Sequence, residues 1–358
     1  MQAIHPYGPT AARKHGRPGR ELRPQSVTID IHAHVSVPAA AALVTPHLDL
    51  STVPLAFFST PETSEINQRQ EQDRHTRLSG AGDGLSERLR DLDEMGVDLQ
   101  LVMPPPPQCY YTVPLDIGVK ANRVVNDGIA EFVARAPKRF AAIATVPMQD
   151  GHEAAAELER AMCRLGCKGA EVLTNVGGRE LSDPAFAPFW AKAEQLGALV
   201  VIHPNGFTEA KRLSRFYFNN IIGNPLETAL ALHYLIFDGV LGRHPNLKIL
   251  AVHGGGYVGG YCGRIDHAWG ARKDCHAGLP QPPTHYLKKV FVDSVVFTPH
   301  QLAELVRVFG ADHVVMGTDY PYDMAESDPL GHVAAVDAFD AATVAALAGG
   351  NAKRLLGL

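Results

Sequence analysis

Short apolar runs rich in β-branched residues recur along the chain. Each is followed by a longer stretch whose apolar positions fall three or four apart. The runs cover residues 27–31, 98–103, 140–146, 169–173, 198–203, 248–253, 289–293 and 313–319. Short continuous apolar runs between turn formers predict buried strands, and three-to-four spacing predicts helices with one apolar face. Helices are predicted over 85–95, 119–135, 154–165, 184–196, 225–241, 299–309 and 340–347. Asp183 before Pro184 gives the fourth a polar cap and a proline in its first turn. Strand–helix alternation repeated eight times predicts a (β/α)8 TIM-like barrel, with a doubly wound parallel sheet as the alternative. No G-x-G-x-x-G follows the first strand, which removes the main dinucleotide-binding signature.

Residues 36–84 break the rhythm and read as a long irregular insertion after strand one. They leave the strand at the face where barrel active sites are built, so a pocket-forming role is expected. Pro104 to Pro107 stiffen the loop after strand two. Residues 1–26 carry Arg13, Lys14, Arg17, Arg20 and Arg23 against Glu21 alone and read as a flexible basic arm; residues 27–358 form the barrel. The arm lacks the apolar segment of a secretory signal.

Composition narrows the function classes. Apolar residues are 46% of the 358, enough for a large core. A net charge of −5 argues against a general nucleic-acid binder. No apolar run approaches the ~20 residues of a membrane span. Five cysteines, scattered and odd in number, read as free thiols in a reducing compartment, and a cytoplasmic location is expected.

The chemistry gathers at strand ends. Strand one closes on Asp30-Ile31-His32-Ala33-His34, and residues two apart on a strand share a face, so His32 and His34 both point into the barrel mouth. Strand five ends at His203, strand six at His253 and strand eight at Asp319. Three imidazoles and a carboxylate (His32, His34, His203, Asp319) suit a mononuclear zinc site with room for water, manganese being the alternative metal. His253 is then free as a general acid/base, and Asp319 can also steer a proton. Lys168 precedes strand four and should face the far end of the barrel, which speaks against a second, carbamate-bridged metal. Asp293 at the end of strand seven reads as a support for the ligands or an anchor for the loop.

These residues are familiar in combination. Asp30-Ile31-His32-Ala33-His34, His203-Pro204, His253-Gly254-Gly255-Gly256 with Gly263-Arg264-Ile265-Asp266-His267, and Gly317-Thr318-Asp319-Tyr320-Pro321 resemble the amidohydrolase superfamily. More narrowly, they resemble its aminocarboxymuconate semialdehyde decarboxylase-like branch. The resemblance implies a distorted barrel holding zinc on the residues matching His32, His34, His203 and Asp319, with His253 working on the metal-bound water. It also implies a homodimer in which Arg264 reaches a substrate carboxylate across the subunit interface. A second carboxylate-binding arginine is expected in the insertion, with Arg77 the candidate and Arg69 and Arg74 the alternatives. The branch prototype has tryptophans where this chain has Asn205-Gly206-Phe207 and Arg215-Phe216-Tyr217-Phe218, so a different pocket is expected.

The function expected is a metal-dependent, non-oxidative decarboxylase of an unsaturated or aromatic carboxylic acid, in aromatic-compound catabolism. The alternative is a hydrolase in which the same metal activates water against a C–C, ester or amide bond. A catalytically dead barrel used for binding is a third reading, which the full set of strand-tip residues opposes.

Overall fold

Among the described residues, eight parallel strands follow one another in chain order. In this computed structural model, which describes residues 10, 19–54, 60–276 and 278–358, they are β1 (Ile29–His34), β2 (Leu99–Met103), β3 (Phe140–Ala142, continued by Ala144–Thr145), β4 (Gly169–Leu173), β5 (Leu199–His203), β6 (Lys248–Ala251), β7 (Phe291–Asp293) and β8 (Val314–Val315). Each pairs with the next. The last meets the first through Ile31 N donating to Met316 O at 2.9 Å, His34 N donating to Tyr320 O at 2.8 Å, and a bridge between Ala33 and Tyr320.

The outer layer comprises α1 (Pro61–Ser79), α2 (Gly84–Met95), α3 (Leu115–Ala134), α4 (Gly151–Leu165), α5 (Ala187–Leu196), α6 (Asn224–Phe237), α7 (Val258–Ala271) and α8 (Pro299–Phe309). In α3 the buried Ala121, Val125, Ile129 and Phe132 make one face by helical spacing. They pack on outward residues of β3 such as Ala142 and Ala144. A second cluster fills the ring: Ile29, Ile31, Leu101, Met103, Ile143, Val201, Leu250, Val252 and Val315. The C-terminal helix Asn351–Leu356 adds Leu355 and Leu356 to that inner cluster and so plugs the end where the strands begin. The other end, where the strand tips lie, is left for chemistry.

Three readings change. The insertion is not irregular: it carries the 19-residue α1, capped by Thr60, whose hydroxyl accepts from Thr63 N, with Pro61 in the first turn and Gly80 in the left-handed region after the last. A further helix, α7, spans the glycine-rich stretch after β6, where four glycines and a kink at Tyr261 conceal it. Of the segment read as an arm, residues 1–9 and 11–18 lie outside the described residues. Its end is attached to the barrel, because Gly19–Leu22 is helical and Arg23 pairs with Asp98 at 2.5 Å. All five cysteines are free. No described helix is long and apolar enough to cross a membrane.

Candidate metal centre

A bulge aims the first strand at the mouth. Asp30 pairs with Gln100 and Ala33 with Val102, so both Ile31 and His32 stand opposite Leu101. Ile31 keeps to the inner core while His32 and His34 rise above it, and Ala33 and Val35 turn outward to the helices. His32 and His203 then each face the other and both His34 and His253, with ring centroids 5.0–5.2 Å apart. Asp319 Oδ1 lies 3.1 Å from His34 Nε2 and 3.5 Å from His32 Nε2, and Asp319 Oδ2 lies 3.6 Å from His253 Nε2. One donor atom each from His32, His203, His253 and Asp319 falls within 4.8 Å of all the others.

Hydrogen bonds behind the rings fix which nitrogen faces the centre. His32 Nδ1 donates to Asp293 Oδ2 at 2.7 Å, His34 Nδ1 to Pro104 O at 3.0 Å and His203 Nδ1 to Pro204 O at 2.7 Å. Each therefore turns its Nε2 inward. The Nε2 atoms of His32 and His34 are 3.2 Å apart, and that of His203 is buried without a partner. Two nitrogens at that separation need a proton or a metal ion between them, and three converging imidazoles beside a carboxylate fit a divalent ion. His253 differs: its Nδ1 has no acceptor, so nothing behind the ring fixes its tautomer.

The charges distinguish the three imidazoles. Burial pushes His34 down, and His203 further, where the neighbouring imidazoles add to it. Burial also opposes a charged His32, but the carboxylates of Asp319 and Asp293 outweigh it and hold His32 up at about 9. Burial would raise Asp319, yet the imidazoles around it hold it well below the usual carboxylate range.

Local backbone conformation is special at the two strand tips. His253 (φ 53°) and Asp319 (φ 63°) both occupy the left-handed region, where a side chain costs energy and where functional residues cluster. After His253 the chain turns under α6: at Gly256 (φ 65°) a Cβ would lie 2.3 Å from the carbonyl oxygen of Pro225. Outside β1 a buried polar ladder holds the strand. Arg88 Nε donates to Gln100 Oε1, Gln100 Nε2 to Asp30 Oδ2, and Thr318 Oγ1 to the same oxygen, at 2.6–2.8 Å. Arg88 Nη1 also donates to His34 O at 2.8 Å. Burial lowers this guanidinium to about 10, so it stays charged at neutral pH. Asp30 is thus a support of the metal strand and not a ligand.

The amidohydrolase family profile matches residues 29–358. The chain belongs to the amidohydrolase family. It is 36% identical over 272 residues to 2-amino-3-carboxymuconate-6-semialdehyde decarboxylase of Dictyostelium discoideum, covering 76% of each chain. The structure of 5-carboxyvanillate decarboxylase from Sphingomonas paucimobilis superposes with a TM-score of 0.80 at 26% identity, over 93% of this chain and 99% of that one. A dihydroxybenzoic acid decarboxylase from a Polaromonas species, solved with bound manganese and 2-nitroresorcinol, shares the fold with a TM-score of 0.75 at 22% identity, over 93% and 98%.

Around its centre this amidohydrolase opens into two adjoining chambers. The first, about 530 Å³, is lined by His203, His253, Asp319, Arg74, Glu71 and Tyr322 among others. The insertion supplies its roof, because Asn67, Glu71 and Arg74 share a face of α1 by helical spacing. Arg74 lies 4.6 Å above the Tyr322 ring and donates to Glu71 Oε2 at 2.9–3.1 Å. Arg77, the expected arginine, points elsewhere: its Nε lies 3.3 Å from Asp91 Oδ2 and 3.8 Å from Glu87 Oε2, a turn of helix beyond the chamber. Arg69 is exposed and pairs with Glu65. Arg264 is exposed on α7 and lines neither chamber. Lys168 sits before the start of β4, while His203 pairs with Leu173 at its end. Asp293 supports His32 and also accepts from Gly254 N at 2.9 Å, which ties β7 to the turn after His253.

One residue escaped the sequence reading. Glu171, in the middle of β4, is fully buried and neither carboxyl oxygen has a partner. Burial pushes its carboxyl well above the usual carboxylate range and so favours the protonated form. A lone acid inside the apolar run of strand four was the available signal.

Proposed function

We propose that this chain is a zinc-dependent, non-oxidative decarboxylase of an aromatic or unsaturated carboxylic acid, with manganese as the alternative metal. One observation carries the reading: three outward-anchored imidazoles and Asp319 converge beside an unanchored His253, in a family whose relatives named above are decarboxylases. Nε2 of His32, His34 and His203 and a carboxylate oxygen of Asp319 would hold the ion, and this N₃O set suits zinc. Such an ion supplies a Lewis acid that draws electron density through the substrate's oxygens.

The protein's own groups do the rest. Arg74, the cation on the wall of the first chamber, binds a carboxylate with the donors its pairing to Glu71 leaves open. The bond from the ring or diene carbon to the carboxyl carbon breaks with its electron pair left on the ring or diene carbon. His253 delivers the proton that takes the pair, and carbon dioxide departs. Arg264, exposed in a single chain, can meet a substrate only in a neighbouring copy, so the site is shared within a homodimer.

The test is carbon dioxide release by zinc- and manganese-loaded protein across a panel of hydroxybenzoic and muconate-type acids. Metal-dependent release is expected. Release from none, with solvent ¹⁸O entering a new carboxylate of an ester, amide or C–C substrate, makes the chain a hydrolase instead. For the shared site, Arg264→Ala mixed with His203→Ala should recover activity on subunit exchange. No recovery despite demonstrated exchange removes the cross-subunit role.

A further inference from the structure

The second chamber is the larger of the two, about 750 Å³. It adjoins the first, since Asn67, Gln68, Pro106, Pro107 and Asn205 line both. Their chemistry differs. The first carries Arg74, Glu71, Asp323, Asp319 and two histidines. The described lining of the second contains no aspartate, glutamate, lysine, arginine or histidine. Its walls are Leu48, Leu50, Val53, Tyr110, Tyr111 and Leu173, with amide and hydroxyl side chains between them. Tyr111 and Leu173 are buried, and the first three come from the insertion. Complete ligand pockets run from about 300 to 1,000 Å³, so each chamber is ligand-sized by itself. A single-ring acid held at the histidine cluster leaves the second chamber to another part of the molecule. A charge placed there would meet no counter-ion.

We propose that the substrate is a two-part molecule, a carboxylated ring or diene in the first chamber joined to an uncharged, largely apolar extension in the second. This rests on the decarboxylase reading above and names its substrate class. The cavity excludes a second acidic or basic group at the far end and rewards hydrocarbon.

The test uses the zinc-loaded protein and 2-hydroxybenzoic acids: the parent, its ring-hexyl isomers, and the same isomers with the chain ending in a carboxylate or a trimethylammonium. At ~0.8 kcal/mol per buried methylene, or about fourfold each, partial burial of the chain should raise kcat/KM at least about tenfold for one hexyl isomer. The charged-ended chains should lose that gain. Thr112→Trp, which fills the second chamber, should bring the hexyl-to-parent ratio towards one. If no hexyl isomer exceeds the parent by more than about twofold, or if the charged ends do equally well, the two-part substrate is overturned while the decarboxylase stands. Calorimetric binding of hexylphenols against phenol separates the converse. Chain-dependent binding without carbon dioxide release from any acid supports the second chamber and overturns the decarboxylase. Chain-independent binding overturns the chamber's role whatever the turnover.

Discussion

Asp293→Asn changes one oxygen to nitrogen and should weaken metal binding without touching a ligand. In the folded protein Asp293 only accepts: Oδ2 from His32 Nδ1 at 2.7 Å, and Oδ1 from Gly254 N at 2.9 Å and Val295 N at 3.2 Å. An amide cannot do both. If its oxygen keeps the two backbone donors, its NH₂ faces His32 Nδ1 and forces the proton onto Nε2, where a metal must bind. If it flips, its NH₂ meets Gly254 and Val295 donor to donor, beside His253. Losing such an outer partner typically costs 10- to 100-fold in metal affinity, about 1.4–2.8 kcal/mol. The assay is competition against a chelator of known affinity, alongside near-ultraviolet dichroism to verify the fold. A native-like variant whose zinc affinity stays within about threefold of wild type, well short of that range, would refute the argument that Asp293 sets the tautomer of His32.

Other outcomes follow from the same geometry. His253→Ala should retain stoichiometric metal and lose about 10²- to 10⁴-fold in turnover; elemental analysis showing the metal lost would make His253 a ligand. Arg74→Met should raise KM for carboxylates about tenfold or more, as loss of a charge-assisted contact does, while Arg77→Met leaves KM unchanged; steady-state kinetics showing the reverse would restore Arg77. Glu171 has a folded-state pKa raised by burial, so its stability contribution is full below the unfolded value and falls as pH rises and the unfolded chain ionises. Glu171→Gln should therefore melt higher than wild type in chelator at pH 8, with the gap closing towards pH 4; a pH-independent gap would show that Glu171 is satisfied in some other way.

The eight strands were legible because a strand covered on both faces is apolar throughout, and that signal survives without knowledge of its partners. The strand-tip histidines were legible for the same reason, since a polar residue ending an apolar run has one place to go. Helix α1 was not. Its residues 61–79 bury only Leu78, because its inner face roofs a chamber and not the core. Asn67, Glu71 and Arg74 repeat with helical spacing but carry no apolar signature, and only Thr60, Pro61 and Gly80 marked its ends. Which of Arg74 and Arg77 lines the chamber was hidden with it, since three residues along a helix rotate a side chain enough to leave the chamber. The bulge at Ile31 and His32 was hidden too, because the H-x-H alternation reads the same whether or not the strand has slipped below it. Glu171 and the Arg88 ladder depend on which distant strands and helices meet.

That slip in β1 separates two jobs within six residues. Below it, Ile29 and Ile31 answer only to the volume of the inner plug; above it, His32 and His34 answer only to the geometry of an ion. The two halves are therefore independently editable. A re-cored barrel, with Ile29, Ile31, Leu101 and Ile143 exchanged for a different well-packed set, should keep its cofactor. A graft of the upper half onto a straight strand, lacking the extra residue and with Ile31 still facing inward, would turn both imidazoles together towards the helices.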